Sequence, residues 1–327
     1  ENGWFKGKDK DFDFQKAYNP YDFSGLRACE ARVWSFFRTF DKSMDKYKKH
    51  IMGDASEEPM PLYIIPDRKV SLADVREGMR NHYEGTELSM TNDPGAGAYK
   101  VPYRWRPMTF KSEGREYFNE RAIATQQTGF VLIAQMRSWL PDAVGGILWF
   151  GVDDANTAVL TPMYASITEI PECYRRGNGS MTEFSWTSAF WIHNWVANMA
   201  YNRYEPMIRD IRPVQKELED SYVDLVKNTD AKALELLKSS PAQATAYLTE
   251  VCGKVANEAT ARWKKLGEYL LVKYMDGNVK KEKDGKFEEN GYGQIVSPNF
   301  PGYSQEYYDQ VAKSEEAKHL EVPKKDK

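Results

Sequence analysis

Apolar residues recur at helical spacing soon after a turn-rich opening. Residues 1–25 carry Asn19-Pro20-Tyr21-Asp22 and Phe23-Ser24-Gly25, which break any regular element. Leu26, Cys29, Val33, Phe36, Phe37, Phe40 and Met44 then follow at intervals that predict an amphipathic helix after Ser24. Residues 47–66 read as an irregular connection ending in the extended apolar stretch Leu62-Tyr63-Ile64-Ile65 before Pro66. Ser71 opens a second helix, with Asp74 at capping-box spacing and Val75, Met79 and His82 continuing its face. Residues 84–120 have no clear period, and Gly85, Pro94, Gly95, Gly97, Pro102 and Pro107 interrupt them throughout. A loop of that length is usually functional or disordered. Its Tyr99, Tyr103, Arg104, Trp105 and Arg106 favour an ordered loop near a pocket.

The next stretch has β character. Ala122 to Met136 reads as one long strand or two short ones, and Ile147-Leu148-Trp149-Phe150-Gly151-Val152 is apolar enough for a strand buried on both faces. Asp153-Asp154-Ala155-Asn156 is turn chemistry, and Thr157 to Thr161 returns, which predicts a hairpin with a four-residue turn. From Ser185 the pattern is helical. Pro206 and Pro213 are expected to kink or interrupt the helix, Lys216 to about Asn228 continues it, and Asp230 to Leu237 makes a separate short one. Pro241 suits the first turn of a longer helix that ends before Gly277. The expected class is α+β with an extended C-terminal helical region.

Composition narrows the function classes. Of 327 residues, 45 are basic and 48 acidic, so nothing attracts a polyanion and nucleic acid is not an expected partner. The Lys-rich ends (Lys6, Lys8, Lys10; Lys324, Lys325, Lys327) read as solvated tails, and no apolar run reaches the roughly 20 residues of a membrane span. Aromatic residues make up 13%, enough for thick cores or for organic-ligand pockets. His50, His82, His193 and His319 stand apart without metal-ligand spacing, so no metal or other cofactor is expected. Asp153-Asp154 reads as a turn former before a cation site. Asp93-Pro94-Gly95-Ala96-Gly97 is Gly-rich without a phosphate-loop pattern, and no GxSxG elbow occurs. Cys29, Cys173 and Cys252 are widely spaced and form no CxxC, so each reads as a packing residue. The residues alone therefore support a fold but no reaction.

One ordered set of segments adds to this. Glu120-Arg121-Ala122-Ile123-Ala124-Thr125-Gln126-Gln127-Thr128-Gly129-Phe130 leads to Gln135-Met136-Arg137-Ser138-Trp139-Leu140-Pro141, then Gly145-Gly146-Ile147-Leu148-Trp149-Phe150-Gly151, Pro162-Met163-Tyr164 and Pro171-Glu172-Cys173-Tyr174. This order resembles the secernin-related dipeptidases, which are cysteine N-terminal-nucleophile (Ntn) hydrolases. The likeness extends upstream through Ala31-Arg32-Val33-Trp34 and Arg80 to Thr86, and downstream to Tyr274-Met275-Asp276-Gly277.

The resemblance implies four αββα layers and a dipeptide or short-peptide substrate. It also implies a catalytic Cys at the start of the mature enzyme, whose own α-amine is the general base. Residue 1 here is Glu and Cys29 is internal. The expectation is a chain similar to the C-terminal part of the family, with no catalytic residue of its own and the nucleophile on a missing N-terminal part. Residues 1–175 would then be the partial Ntn-like core carrying the loop 84–120. Residues 176–280 would be a helical region packed on it, and 281–327 a wrapping or partly disordered tail. A homo-oligomer is compatible with this.

Polar residues bordering the strands are the substrate-binding candidates. Gln126, Gln127 and Gln135 can hydrogen-bond a peptide or an oxyanion, and the fork of Arg137 suits a carboxylate. Alternation places Gln135, Arg137 and Gln127 on one strand face and Gln126 on the other. The alternative is a non-catalytic peptide- or sugar-binding protein that uses the aromatic loop 84–120.

Overall fold

A computed structural model describes residues 3–322, so Lys324, Lys325 and Lys327 lie outside the described residues. The chain is α+β and divides into two compact units. The first comprises residues 1–90 and 103–125, the second residues 91–102 and 126–327. The segment 84–120 is thus shared between the two.

In the first unit the amphipathic stretch after Ser24 forms a π-helical turn, Leu26–Glu30, which runs into helix α1, Ala31–Phe40. The indole of Trp34, fully buried, donates to the Met44 carbonyl at 2.8 Å. Around it pack Ala31, Met44, Tyr47, Ile51, Tyr83 and Leu88. Helix α2, Leu72–Met79, begins at Ser71 with a reciprocal capping box to Asp74. Arg68 also pairs with Asp74, and together with the Ser71 contacts this holds that carboxyl well below its usual range.

Residues 109–118 form strands where a loop without regular elements was expected. Strand β1, Thr109–Ser112, pairs antiparallel with β2, Arg115–Phe118. Glu113 and Gly114 between them both have positive φ (49° and 75°), the backbone of a type I′ turn. The strands are exposed and charged, which hides the apolar alternation that marks a half-buried strand.

The second unit is built on a three-stranded antiparallel sheet of β3, Phe130–Met136, β4, Gly146–Val152, and β5, Thr161–Tyr164, in that order. Phe130 faces Val152 and Gln135 faces Ile147, while Phe150 faces Thr161. Val131, Ile147 and Trp149 point to the buried side. Phe130, Leu132, Met136 and Leu148 point outward and are between 40% and 76% exposed. The apolar run of β4 is therefore covered on one side only, a correction to the fully buried strand expected from its composition.

The return strand expected at 157–161 lies further along the chain, because β5 starts only at Thr161 and runs to Tyr164. Residues 153–160 are instead a buried loop whose polar groups bond to side chains. Asp154 accepts from the amide and hydroxyl of Thr157, Gln215 donates to the Asn156 and Ala158 carbonyls, and Glu219 accepts from the Leu160 amide at 3.0 Å. These partners stand where a ladder would, as a buried backbone group requires.

Helix α3, Ala189–Asn202, is followed by two long helices, α4, Tyr204–Ser239, and α5, Pro241–Tyr274. Helix α4 passes through Pro213 and through the break expected near residue 229. Thr229 and Asp230 hold it to the sheet there: Thr229 is buried, and Asp230 accepts from Arg137 and from the Tyr164 hydroxyl. Ser240 caps α5 and Pro241 occupies its first turn, as expected. Beyond Gly277, a small hairpin pairs Glu282–Lys283 with Lys286–Phe287, and helix α6, Gln305–Ala312, follows.

Candidate functional site

Where β4 ends and β3 begins, a chain of polar side chains is buried against α3. Asp153 follows β4 directly, with φ 68° and its amide donating to the Gly129 carbonyl at 3.0 Å. Asn194 and Asn198 lie one turn apart on α3. Asn194 donates its amide to Asp153 Oδ1 at 2.8 Å, Asn198 donates to both the carbonyl and Oδ1 of Asn194, and Gln126 Nε2 donates to Asn198 Oδ1 at 2.8 Å.

Two buried acceptors in this polar chain, Asp153 Oδ2 and Gln126 Oε1, have no hydrogen-bond partner among the described residues. Such atoms cost free energy and concentrate at sites where a ligand or reaction uses them. Burial pushes the Asp153 carboxyl up to about 7, against the opposing pull of the Asn194 amide. Near neutral pH this group can therefore either accept or donate a proton.

His193, next along α3, stacks on Trp263 with ring centroids 5.0 Å apart. Burial pushes it down to about 3, so it stays a neutral packing group.

A cavity of about 330 Å³ is lined by residues of the same two elements, β4 and α3, while Gln126, Asp153, Asn194 and Asn198 themselves do not line it. Phe150 and Val152 of β4 and Phe190 and Trp191 of α3 form walls, and Tyr174 and Arg176 complete it. Residues 172–188, which close one side, are organised by Asn178. Its Oδ1 accepts from Ser185 and Thr187, and its Nδ2 donates to the Glu172 carbonyl. Trp191 donates its indole N–H to the Ser180 carbonyl at 3.1 Å. Gly179, at φ 82°, lies against that indole: a Cβ there would come 2.9 Å from Trp191 Cδ1. Arg175 is paired with Glu172 at 3.0 Å, whereas Arg176 has no ion pair among the described residues.

The structure brings only Gln126 of the four candidates into this cluster. Gln127 is exposed just ahead of β3. Because β3 starts at Phe130, the strand alternation that assigned faces to Gln126 and Gln127 does not reach them. Gln135 accepts from the Trp149 indole at 2.9 Å. Arg137 is buried with its guanidinium on Asp230 and on the Val144 and Gly145 carbonyls. Asn194, Asn198 and Arg176 were not singled out from the sequence, and Asp153 stood there only as a turn former. Only the four-residue spacing of Asn194 and Asn198 on one helical pattern hinted at a shared face.

Cys29 is exposed, and Arg32 Nη2 is 3.9 Å from its sulfur. Burial raises the thiols of Cys173 and Cys252, the latter to about 11. Among the described residues no group of three His, Cys, Asp or Glu side chains could hold a metal ion, and no helix is long and apolar enough to cross a membrane.

A mixed α/β scaffold with a buried, incompletely satisfied polar chain beside an aromatic cavity has the form of a small-molecule or enzyme site. The chain belongs to peptidase family C69, whose family model matches residues 1–217 and so spans the polar chain and the cavity. It is 26% identical over 270 residues to the probable dipeptidase B of Lactococcus lactis subsp. lactis (strain IL1403), covering 80% of this chain and 50% of that protein. It is 26% identical over 245 residues to a probable dipeptidase of Latilactobacillus sakei (69% and 46% covered). A probable dipeptidase of Salmonella dublin matches at 27% over 154 residues (47% and 30%). The chain spans about half the length of the curated relatives it matches.

Proposed function

We propose that this chain is part of a dipeptidase that hydrolyses short peptides by thiolate attack, the nucleophile being an N-terminal cysteine outside these 327 residues. The observation carrying the reading is the family match across residues 1–217, the segment that builds both the polar chain and the cavity, with relatives named as dipeptidases. The cysteines support the second half of it. Cys173 and Cys252 are buried with raised thiols, and Cys29 is internal, so none can use an α-amine of its own as base.

The outward apolar face of Phe130, Leu132, Met136 and Leu148 supports an Ntn-type layering, in which a second sheet would cover it. In this reading Gln126 and Asp153 supply hydrogen bonds to the peptide backbone through their unpartnered oxygens, and Gln127 approaches from the surface. Gln135 and Arg137 hold the strand between them. Residues 1–175 would form the core of that site, with 176–280 packed on it and 281–327 wrapped around it.

The test is a dipeptide panel assayed on this chain alone, with a Cys29→Ser variant in parallel. The expected result is saturable dipeptide binding by calorimetry without turnover. Cleavage that Cys29→Ser abolishes would overturn the external nucleophile, and absence of any dipeptide binding would overturn the peptidase reading.

A further inference from the structure

The cavity beside the polar chain has a chemistry that selects its ligand. Its walls are aromatic and aliphatic: Phe150, Val152, Tyr174, Phe190 and Trp191. Among the described residues no carboxylate lines it. Of the two arginines at its rim, Arg175 is neutralised by Glu172 and Arg176 is not paired among the described residues. A volume of about 330 Å³ is near the lower end of the roughly 300–1,000 Å³ of small-molecule sites. That suits one large side chain with its own backbone groups.

We infer that this cavity binds the C-terminal residue of a short peptide, seating a large apolar side chain against Trp191 and Phe190 and its free carboxylate on Arg176. The guanidinium fork matches a carboxylate with two parallel hydrogen bonds. An ammonium end would meet the guanidinium of Arg176, which no acid among the described residues offsets, so the peptide enters by its carboxylate. The shape is held before the ligand arrives: Asn178 fixes the loop, the Trp191 indole is anchored on the Ser180 carbonyl, and Gly179 lets the two approach. Preformed walls leave little ordering cost to binding.

This assignment rests on the peptidase reading, and its test separates the two. Calorimetry and Trp fluorescence on the full chain would use Ala-Phe, its C-terminal amide, Ala-Gly and 3-phenylpropionate, which has the aromatic carboxylate and no peptide bond. Ala-Phe should bind at least about tenfold more tightly than either Ala-Gly or the amide, an amount expected of one apolar side chain or one charge-assisted pair. Arg176→Gln should abolish the preference for acid over amide and leave amide binding unchanged. Arg176→Lys should restore part of it. Arg176 is exposed and packs no core, so circular dichroism should be the same for all three proteins.

An acid-to-amide ratio unaffected by Arg176→Gln, or equal binding of Ala-Gly and Ala-Phe, overturns the cavity assignment while leaving the peptidase reading in place. Arg176-dependent binding of 3-phenylpropionate with no dipeptide bound overturns the peptidase reading and keeps the apolar-carboxylate cavity.

Discussion

Asn194 donates its side-chain amide to one oxygen of Asp153 at 2.8 Å, and the other oxygen of that buried carboxylate has no partner among the described residues. The pair joins the first residue beyond β4 to the middle of α3, next to His193. Asp153 and His193 are both shifted by burial, in opposite directions, and that has a consequence for stability.

The Asp153 carboxyl rises from 3.8 to about 7 on folding, so the unfolded chain releases that proton first. Its contribution to stability is complete below about pH 4, is lost as pH rises to 7, and changes no further above that. His193 falls from 6.5 to about 3, so its contribution is complete above 6.5 and is lost on acidification toward 3. Between about pH 4 and 6.5 the two slopes, each at most about 1.4 kcal/mol per pH unit, oppose one another. Asp153→Asn keeps the shape and tolerates the positive φ. Urea denaturation should show its stability gain over the parent growing from pH 4 to 7 and then levelling. His193→Phe should show the mirror trend, gaining most below pH 6. A stability difference independent of pH for Asp153→Asn would mean the carboxyl is not shifted.

Much of the scaffold was legible because local chemistry and tertiary packing agree. The Ser71–Asp74 capping box, Pro241 in the first turn of α5 and the β4 strand all formed where their patterns indicated. The misses have physical causes. The β1–β2 hairpin is exposed on both faces, so it carries no apolar alternation, and only Glu113-Gly114 marked it. Helix α4 continues through residue 229 because Asp230 is held by Arg137 and Tyr164, a partnership 93 residues distant in sequence for the arginine. The polar chain was invisible for a related reason. Asp153 read as a turn former, and nothing local reveals that burial leaves one of its oxygens unpartnered. Asn194 and Asn198 are ordinary helix-surface residues until a strand end is packed against them.

Arg137 and Asp230 form a buried ion pair, with the Tyr164 hydroxyl donating to the same carboxylate at 2.7 Å. Removing one partner leaves the other charge buried. Arg137→Met should therefore cost on the order of 3–5 kcal/mol in urea denaturation, and the double variant Arg137→Met with Asp230→Leu should recover much of that loss. If the single variant keeps its stability but loses dipeptide binding, Arg137 contacts substrate rather than holding β3 to α4.

Gly179 tests whether the cavity wall is held in place. Alanine there is strained by the positive φ and pressed against both Trp191 and the Glu183 carbonyl, at 3.0 Å from the latter. A loss of about 1–3 kcal/mol is expected, together with a shifted Trp emission. Gly129→Ala is the matched control, with no atom within 4 Å of the added carbon. Equal stabilities and spectra for the two variants would show that the 172–188 segment does not hold Trp191.

The cysteines divide by exposure, and thiol titration reads that division directly. Cys29 is exposed on the π-helical turn, whereas Cys252 is enclosed between α5 and β5, its sulfur 3.3 Å from the Tyr164 amide. With its thiol at about 11, Cys252 has roughly one part in a thousand as thiolate at pH 8, and burial blocks a reagent from reaching even that. Cys173 is buried and raised in the same sense. In the native protein a disulfide reagent should therefore titrate one thiol quickly. The other two of the three should appear only on unfolding, and Cys29→Ser should remove the fast phase. Fast reaction at Cys173, whose residue borders the cavity, would change the mechanism more than any other result. It would place a reactive thiolate beside Trp191 and Arg176, and the case for an external nucleophile would lose its main support.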